Sequence, residues 1–227
     1  MTLPYAYRIG RYPVTNAEYR RFIEAGGYAE RRWWTEQGWT YRERQSWITP
    51  RYWKHASYNE PTQPVVGVSW YEAVAYCAWL TAVGQQAGWL PTTGELRLPT
   101  ALEWERAARG TDQRRYPWGD EVPDAERANY KDTGIGRPTA VGCFPAGVAG
   151  CGALDMVGNV MEWLATPTSE PTQVAARKDF TPSDSIQVIY NDYRDAIEQL
   201  CCGARIGFNP YFRFNDGGFR VVWSLAL

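Results

Sequence analysis

The sequence predicts an α+β domain with few short strands, two or three helices and much irregular chain. Three observations lead there. Three Ser/Thr-x-x-Glu signatures each open a run of apolar residues at helical spacing. Gly and Pro recur every few residues from Tyr116 to Gly147, so regular elements there must be short. The last stretch, GGFRVVWSLAL, alternates like a strand.

Taken in order, Thr15-Asn-Ala-Glu18 opens a first helix with Tyr19, Phe22 and Ile23 on one face. The aromatic stretch of residues 29–60 has no clean period. It reads as an ordered loop with short helical pieces, held by its tryptophans, and could shape the rim of a site. Ser69-Trp-Tyr-Glu72 opens a second helix, with Ala73, Tyr76, Cys77 and Leu80 at helical spacing. Pro99 ends an extended segment ahead of Thr100-Ala-Leu-Glu103, which opens a third helix through Trp104 and Ala107 to Gly110. In each signature the hydroxyl accepts from the N3 amide and the Glu reaches back to the cap amide. The polar, Pro-containing segment after Trp163 reads as an exposed loop. In the final strand Phe219, Val221 and Trp223 alternate with Arg220, Val222 and Ser224. No repeat, low-complexity tract or linker divides the chain, so residues 1–227 are read as a single domain.

A formal net charge of −1 argues against nucleic acid as a main partner. No run of eighteen apolar residues exists, so no membrane span is expected. The N-terminus lacks the layout of a signal peptide, which leaves the cytoplasm as the default compartment. It starts directly in a strand pattern, as a piece of a longer protein would. Five cysteines without a CxxC imply no disulfide framework. Cys143 and Cys151 flank a loop across which they could pair, and reduced thiols are the plainer reading. The single histidine, His55, cannot build a His-rich metal centre and reads as a surface loop residue. The anomaly is aromatic content, 15% with 12 Trp and 15 Tyr, which serves large cores and ligand surfaces alike.

Six segments in order, YRIGRYPVTNAEYRRFI, PVVGVSWYEAVAYCAWL, LRLPTALEWERAARG, YPWGD, GALDMVGNVMEW and GFRVV, resemble the formylglycine-generating enzyme (sulfatase-modifying factor) family. The resemblance spans Tyr7 to Val222 and implies a C-type-lectin-like fold. It also implies a catalytic pair of cysteines, spaced CxxxxC, that binds copper(I). Here the matching region carries adjacent Cys201 and Cys202. In a strand their side chains would point to opposite faces and could not share a metal. The ergothioneine-type branch of the family needs iron held by histidines of an additional domain, which one histidine rules out within this chain. No enzyme activity and no copper are therefore expected.

The same resemblance implies a structural Ca²⁺ held by side-chain oxygens of Asp155 and Glu162 and by the carbonyls of Gly158 and Val160. The alternative is a turn in which Asp155 caps and Glu162 makes a salt bridge.

CGARIGFNPYFRFNDGGFRVV resembles the variable region of diversity-generating retroelement proteins, a subgroup with this fold. Arg205, Gly207, Pro210, Arg213 and Gly218 to Val222 would form the frame. The interleaved positions Ala204, Ile206, Phe208, Asn209, Tyr211, Phe212, Phe214, Asn215 and Asp216 are Asn or residues reachable from its codons. Tyr190, Asn191, Asp192 and Tyr193 extend the set, giving a ligand-binding region over about residues 190–217. The resemblance implies a non-catalytic protein whose C-terminal surface grips an unknown protein or other ligand. The alternatives are a formylglycine-generating-enzyme-like oxidoreductase, and a structural or sensory domain of a larger protein.

Overall fold

The computed structural model describes residues 3–225. Its elements are β1 (Tyr7–Ile9), α1 (Asn16–Glu24), α2 (Glu36–Gln45), α3 (Trp70–Gln86), β2 (Gly94–Arg97), α4 (Ala101–Arg109), β3 (Met161–Pro167), β4 (Ile186–Ile189), β5 (Arg205–Phe208), β6 (Gly217–Gly218) and β7 (Val222–Leu225). One sheet has the antiparallel order β1-β7-β2. The other runs β5-β4-β3-β6, with β3 and β6 parallel. Long irregular segments join them, as the Gly/Pro spacing requires.

All three signatures are capping boxes. Thr15, Ser69 and Thr100 accept from the amides of Glu18, Glu72 and Glu103, whose carboxylates return to the cap amides. The α-helices among the described residues number four, because α2 forms inside the stretch read as loop. Its cap, Thr35, accepts from the amide of Gly38, so no Glu stands at N3 to mark it.

The core is aromatic. Tyr19 and Phe22 of α1 meet edge to face at 5.4 Å, and Tyr19 stacks on Tyr76 of α3 at 5.3 Å. Phe219 closes on Tyr76 at 5.5 Å, and Trp70 meets Phe180 at 4.8 Å. Rings so placed add about 0.5–1.5 kcal/mol per pair beyond the area they bury. A second cluster packs α4 through Trp104, Ala107 and Ala108 against Leu164 and Ile189.

The C-terminal stretch differs from expectation. Gly217–Gly218 pairs with Met161 and Glu162 in one sheet, whereas Val222–Leu225 pairs with β1 and β2 in the other. Phe219, Arg220 and Val221 bridge the two sheets, so both Phe219 and Arg220 are fully buried and the alternation fails there.

Thr100→Ala removes one capping box. It should cost about 1 kcal/mol, a fall of about 2–4 °C in Tm by calorimetry, without changing the fold.

Candidate functional site

The edge strand β5 of the second sheet carries the site. In β5 alternate residues share a face, which puts Ile206 and Phe208 on one side and Arg205 and Gly207 on the other. The chain then turns at Pro210 and brings four rings together. Phe208 lies 4.6 Å from Phe214, Phe212 stacks on Phe214 at 5.3 Å, and Tyr211 contacts Phe212 at 4.9 Å. Trp163 underlies Phe214 at 6.4 Å. Phe212 is 37% and Ile206 41% exposed, enough for both to meet a ligand.

Two bonds to α3 and its approach hold the turn. The Trp70 amide donates to the Pro210 carbonyl at 3.0 Å, and the Gly67 amide to the Phe214 carbonyl at 2.7 Å. Gly67 has φ +74°, and a Cβ there would lie 2.7 Å from the Tyr52 ring, so only glycine fits. Arg213 fixes the turn from below. Its guanidinium reaches Glu72 at 2.9 Å and the Gly67 carbonyl at 3.0 Å, bonds the Thr49 carbonyl and lies over Trp47. Glu72 also accepts from Tyr28. Burial pushes the Glu72 carboxyl up, and Arg213, Tyr28 and Ser69 oppose that rise.

On one flank of the rings, α2 contributes. Tyr41 stacks on Tyr211 at 5.1 Å, and a cavity of about 480 Å³ opens between Tyr41, Trp47, Arg51, Tyr211 and Phe212. On the other flank lies a polar relay. Asn215 Nδ2 donates to the Tyr58 hydroxyl at 2.9 Å and the Tyr193 hydroxyl at 3.4 Å. Burial and the neighbouring Tyr58 push the Tyr193 phenol up, so it stays protonated. His55 packs against Tyr58 at 4.9 Å from an exposed loop. Tyr41, Trp47 and Tyr58 were not singled out in the sequence. The tryptophan-rich, periodless stretch was their only signal.

The other expected ligand residues divide. Tyr190 is half-buried against the main core. Asn209 tethers the neighbouring loop by donating to the Pro182 and Asp184 carbonyls, both at 3.1 Å. Ala204 is half-buried, and its carbonyl accepts from the Tyr190 amide. Asn191, Asp192, Tyr193 and Asp216 are buried and belong to the scaffold rather than to an exposed face, Tyr193 meeting the site through its hydroxyl's bond to Asn215. Asn191 donates to the Cys201 carbonyl, and the Asp216 carboxylate pairs with Arg194. Burial raises the Asp192 carboxyl to about 6, helped by the charge of Asp195.

The residues read as calcium ligands do not form a cation cage. Both Glu162 oxygens face the fully buried Arg220 guanidinium at 2.7–3.0 Å, and Trp104 Nε1 donates to Oε2 at 2.8 Å. Asp155 Oδ2 accepts from the Gly142 amide at 2.7 Å, and the Gly158 carbonyl accepts from the Val160 amide at 3.0 Å. A guanidinium already supplies the positive charge that Ca²⁺ would bring. The turn-and-salt-bridge alternative describes this geometry. Among the described residues no group of three or more His, Cys, Asp or Glu is placed to hold a metal.

Cys201 and Cys202 lie in a turn, not a strand. Cys202 is buried, and burial raises its thiol to about 12, far from a reactive thiolate. Cys143 and Cys151 are free and exposed. No helix among the described residues is long and apolar enough to cross a membrane.

A family described as "Sulfatase-modifying factor enzyme 1-like domain" matches residues 1–225, and the chain belongs to it. Hercynine oxygenase of Mycolicibacterium thermoresistibile is 43% identical over 176 residues, covering 71% of this chain and 36% of that protein. The formylglycine-generating enzyme of Thermomonospora curvata is 33% identical over 198 residues, covering 70% of this chain and 59% of that protein. The chain thus spans about a third of the length of the hercynine oxygenases it matches. Among solved structures, PvdO from Pseudomonas aeruginosa superposes with a TM-score of 0.70 at 26% identity, over 96% of this chain and 80% of that one. Treponema denticola variable protein 1, a match for the fold alone, gives 0.65 at 19% identity, over 95% and 84%.

These relatives overturn the expectation of no enzyme activity. Proteins named as oxygenases share 38–43% identity over 71% of this chain. The missing cysteine pair spoke only to one branch of the family.

Glu162→Gln should cost about 3–5 kcal/mol in urea unfolding, because Arg220 is left buried and unpaired. Excess EDTA should leave the melting curve in place, and a fall of several degrees on chelation would restore a cation to this turn. Burial also lifts the Asp155 carboxyl to about 6. A folded pKa above the unfolded value of about 3.9 means that its contribution is full below pH 4 and lost as pH rises through 6. Asp155→Asn should therefore flatten the stability profile between pH 4 and 7 by about 2 kcal/mol.

Proposed function

We propose that this chain is the substrate-holding domain of an oxygenase related to the hercynine oxygenases. Its aromatic C-terminal face takes a small, hercynine-like substrate by its trimethylammonium group. The observation that carries the reading is the convergence of Phe208, Tyr211, Phe212 and Phe214 beside the Tyr58–Asn215–Tyr193 relay. Hercynine is the trimethylammonium betaine of histidine. Ring faces attract such a cation by about 0.5–1 kcal/mol when exposed and about 2 or more when desolvated. The relay supplies hydroxyl and amide groups for the polar end of the ligand.

The chain's own residues bind and orient in this account. Burial keeps the Tyr193 phenol protonated, and the Arg213–Glu72 pair keeps the rings in place. The oxidising centre would be supplied by residues beyond this chain, in keeping with its covering 36% of the relative's length. The raised thiol of Cys202 favours this reading over a cysteine-based oxidation.

Isothermal calorimetry of the chain with hercynine tests it. Hercynine should bind about 5- to 30-fold more tightly than histidine, the share of the methylated cation. Phe208→Ala should weaken hercynine more than histidine, whereas Tyr193→Phe should weaken both alike. Equal affinity for the two, or no heat with hercynine, would overturn the assignment.

A further inference from the structure

On the other side of β5 from the rings, a cleft of about 400 Å³ lies between α4, the turn after it and the loop at Pro171 and Thr172. Three guanidiniums line it, Arg106 and Arg109 from α4 and Arg205 from β5, against a single carboxylate, Glu105. Arg205 is 100 residues from Glu105 in sequence, yet the two are paired, and their side chains are 20% and 25% exposed. Glu105 also faces Arg109 at 3.1 Å as an i,i+4 pair. One carboxylate is thus shared by two arginines. Arg106 spends one N–H on the Gly110 carbonyl at 3.3 Å, offsetting the negative end of α4, and its other N–H groups find no acceptor among the described residues.

The surplus is visible in the bonding. Arg205 Nε is buried with no acceptor among the described residues. A buried donor left unmade costs about 1–3 kcal/mol, so an unsatisfied guanidinium N–H points to a missing acceptor. Burial pulls the Arg205 guanidinium below its ordinary value, as it does for a cation short of counter-charge. Thr111, Gln113 and Thr172 add neutral polar side chains at the rim, and Leu102 gives an apolar wall.

We propose that this cleft is an anion site that takes the phosphate group of a small molecule, with Arg106, Arg109 and Arg205 as its ligands. The planar fork of arginine matches phosphate oxygens in pairs, and a doubly charged phosphate balances two uncompensated guanidiniums. The site is separate from the aromatic face: Arg205 and Phe208 stand at opposite ends of β5 and on opposite sides of the strand. It does not depend on the oxygenase reading.

Thermal unfolding and calorimetry with inorganic phosphate, at ionic strength held constant with potassium chloride, test the site. Saturating phosphate should raise Tm by roughly 3 °C over chloride alone. Arg106 is exposed, so Arg106→Gln will fold, and it should weaken phosphate about 5- to 10-fold. Arg205→Gln should abolish the shift, its folding checked by circular dichroism. If Arg205→Gln does not fold, Arg106→Gln paired with Arg109→Gln gives the same readout. A phosphate effect no larger than that of chloride, one that survives both arginine changes, or tighter binding of acetate than of phosphate would overturn the proposal.

Discussion

The structure depends on the ion pair between Arg220 and Glu162. Both side chains are essentially buried, and the guanidinium also donates to the carbonyls of Gly10, Leu154 and Asp155 at 3.0–3.1 Å. Four distant segments therefore meet at one charge. The arginine stands where the chain leaves the second sheet for the first, so it fixes how β6 and β7 follow one another. Burying two ions costs several kcal/mol each, and such a pair persists only when neighbouring hydrogen bonds and good geometry offset that cost. The carbonyls and Trp104 provide them here.

Arg213 repeats the device seven residues earlier. It pairs with Glu72, the capping-box residue of α3, so one carboxylate serves helix cap, tyrosine and arginine together. Between these two arginines the chain is held at both ends. Phe214 and Asn215 lie in that span, with Tyr211 and Phe212 just before it. Rings displayed this way lose little freedom when a ligand arrives, which is what the proposed substrate-holding role requires. The strand that carries Phe208 carries Arg205 on its other side, so one short element serves two surfaces.

The parts legible in the sequence were those with local causes. The capping boxes are written within four residues, and each marks a real helix. The helix α2 was not legible because Gly38 stands where the signature needs Glu, and because its exposed, arginine-rich face carries no apolar period. The clustering of the late phenylalanines was readable from their spacing around Pro210. Their partners Tyr41, Trp47 and Tyr58 were not, since nothing local ties residues more than 150 positions apart. The turn at Asp155–Glu162 has the same letters whether a cation or a guanidinium fills it, and the deciding residue, Arg220, is 58 positions away. Burial separates scaffold from surface in a way that codon logic could not: Asn191, Asp192 and Asp216 belong to the interior.

Amide hydrogen exchange at Gly10, Gly67, Trp70 and Met161, in the wild type and in Glu72→Gln, tests the central claim that Arg213 and Arg220 hold the C-terminal face independently. Removing the Glu72 charge should speed exchange at Gly67 and Trp70, whose amides bond the turn at Phe214 and Pro210. The Met161 and Gly10 amides, bonded to Asp216 and Val221 beside Arg220, should keep their protection. A uniform loss across all four, or no change at Gly67 and Trp70, would contradict the account.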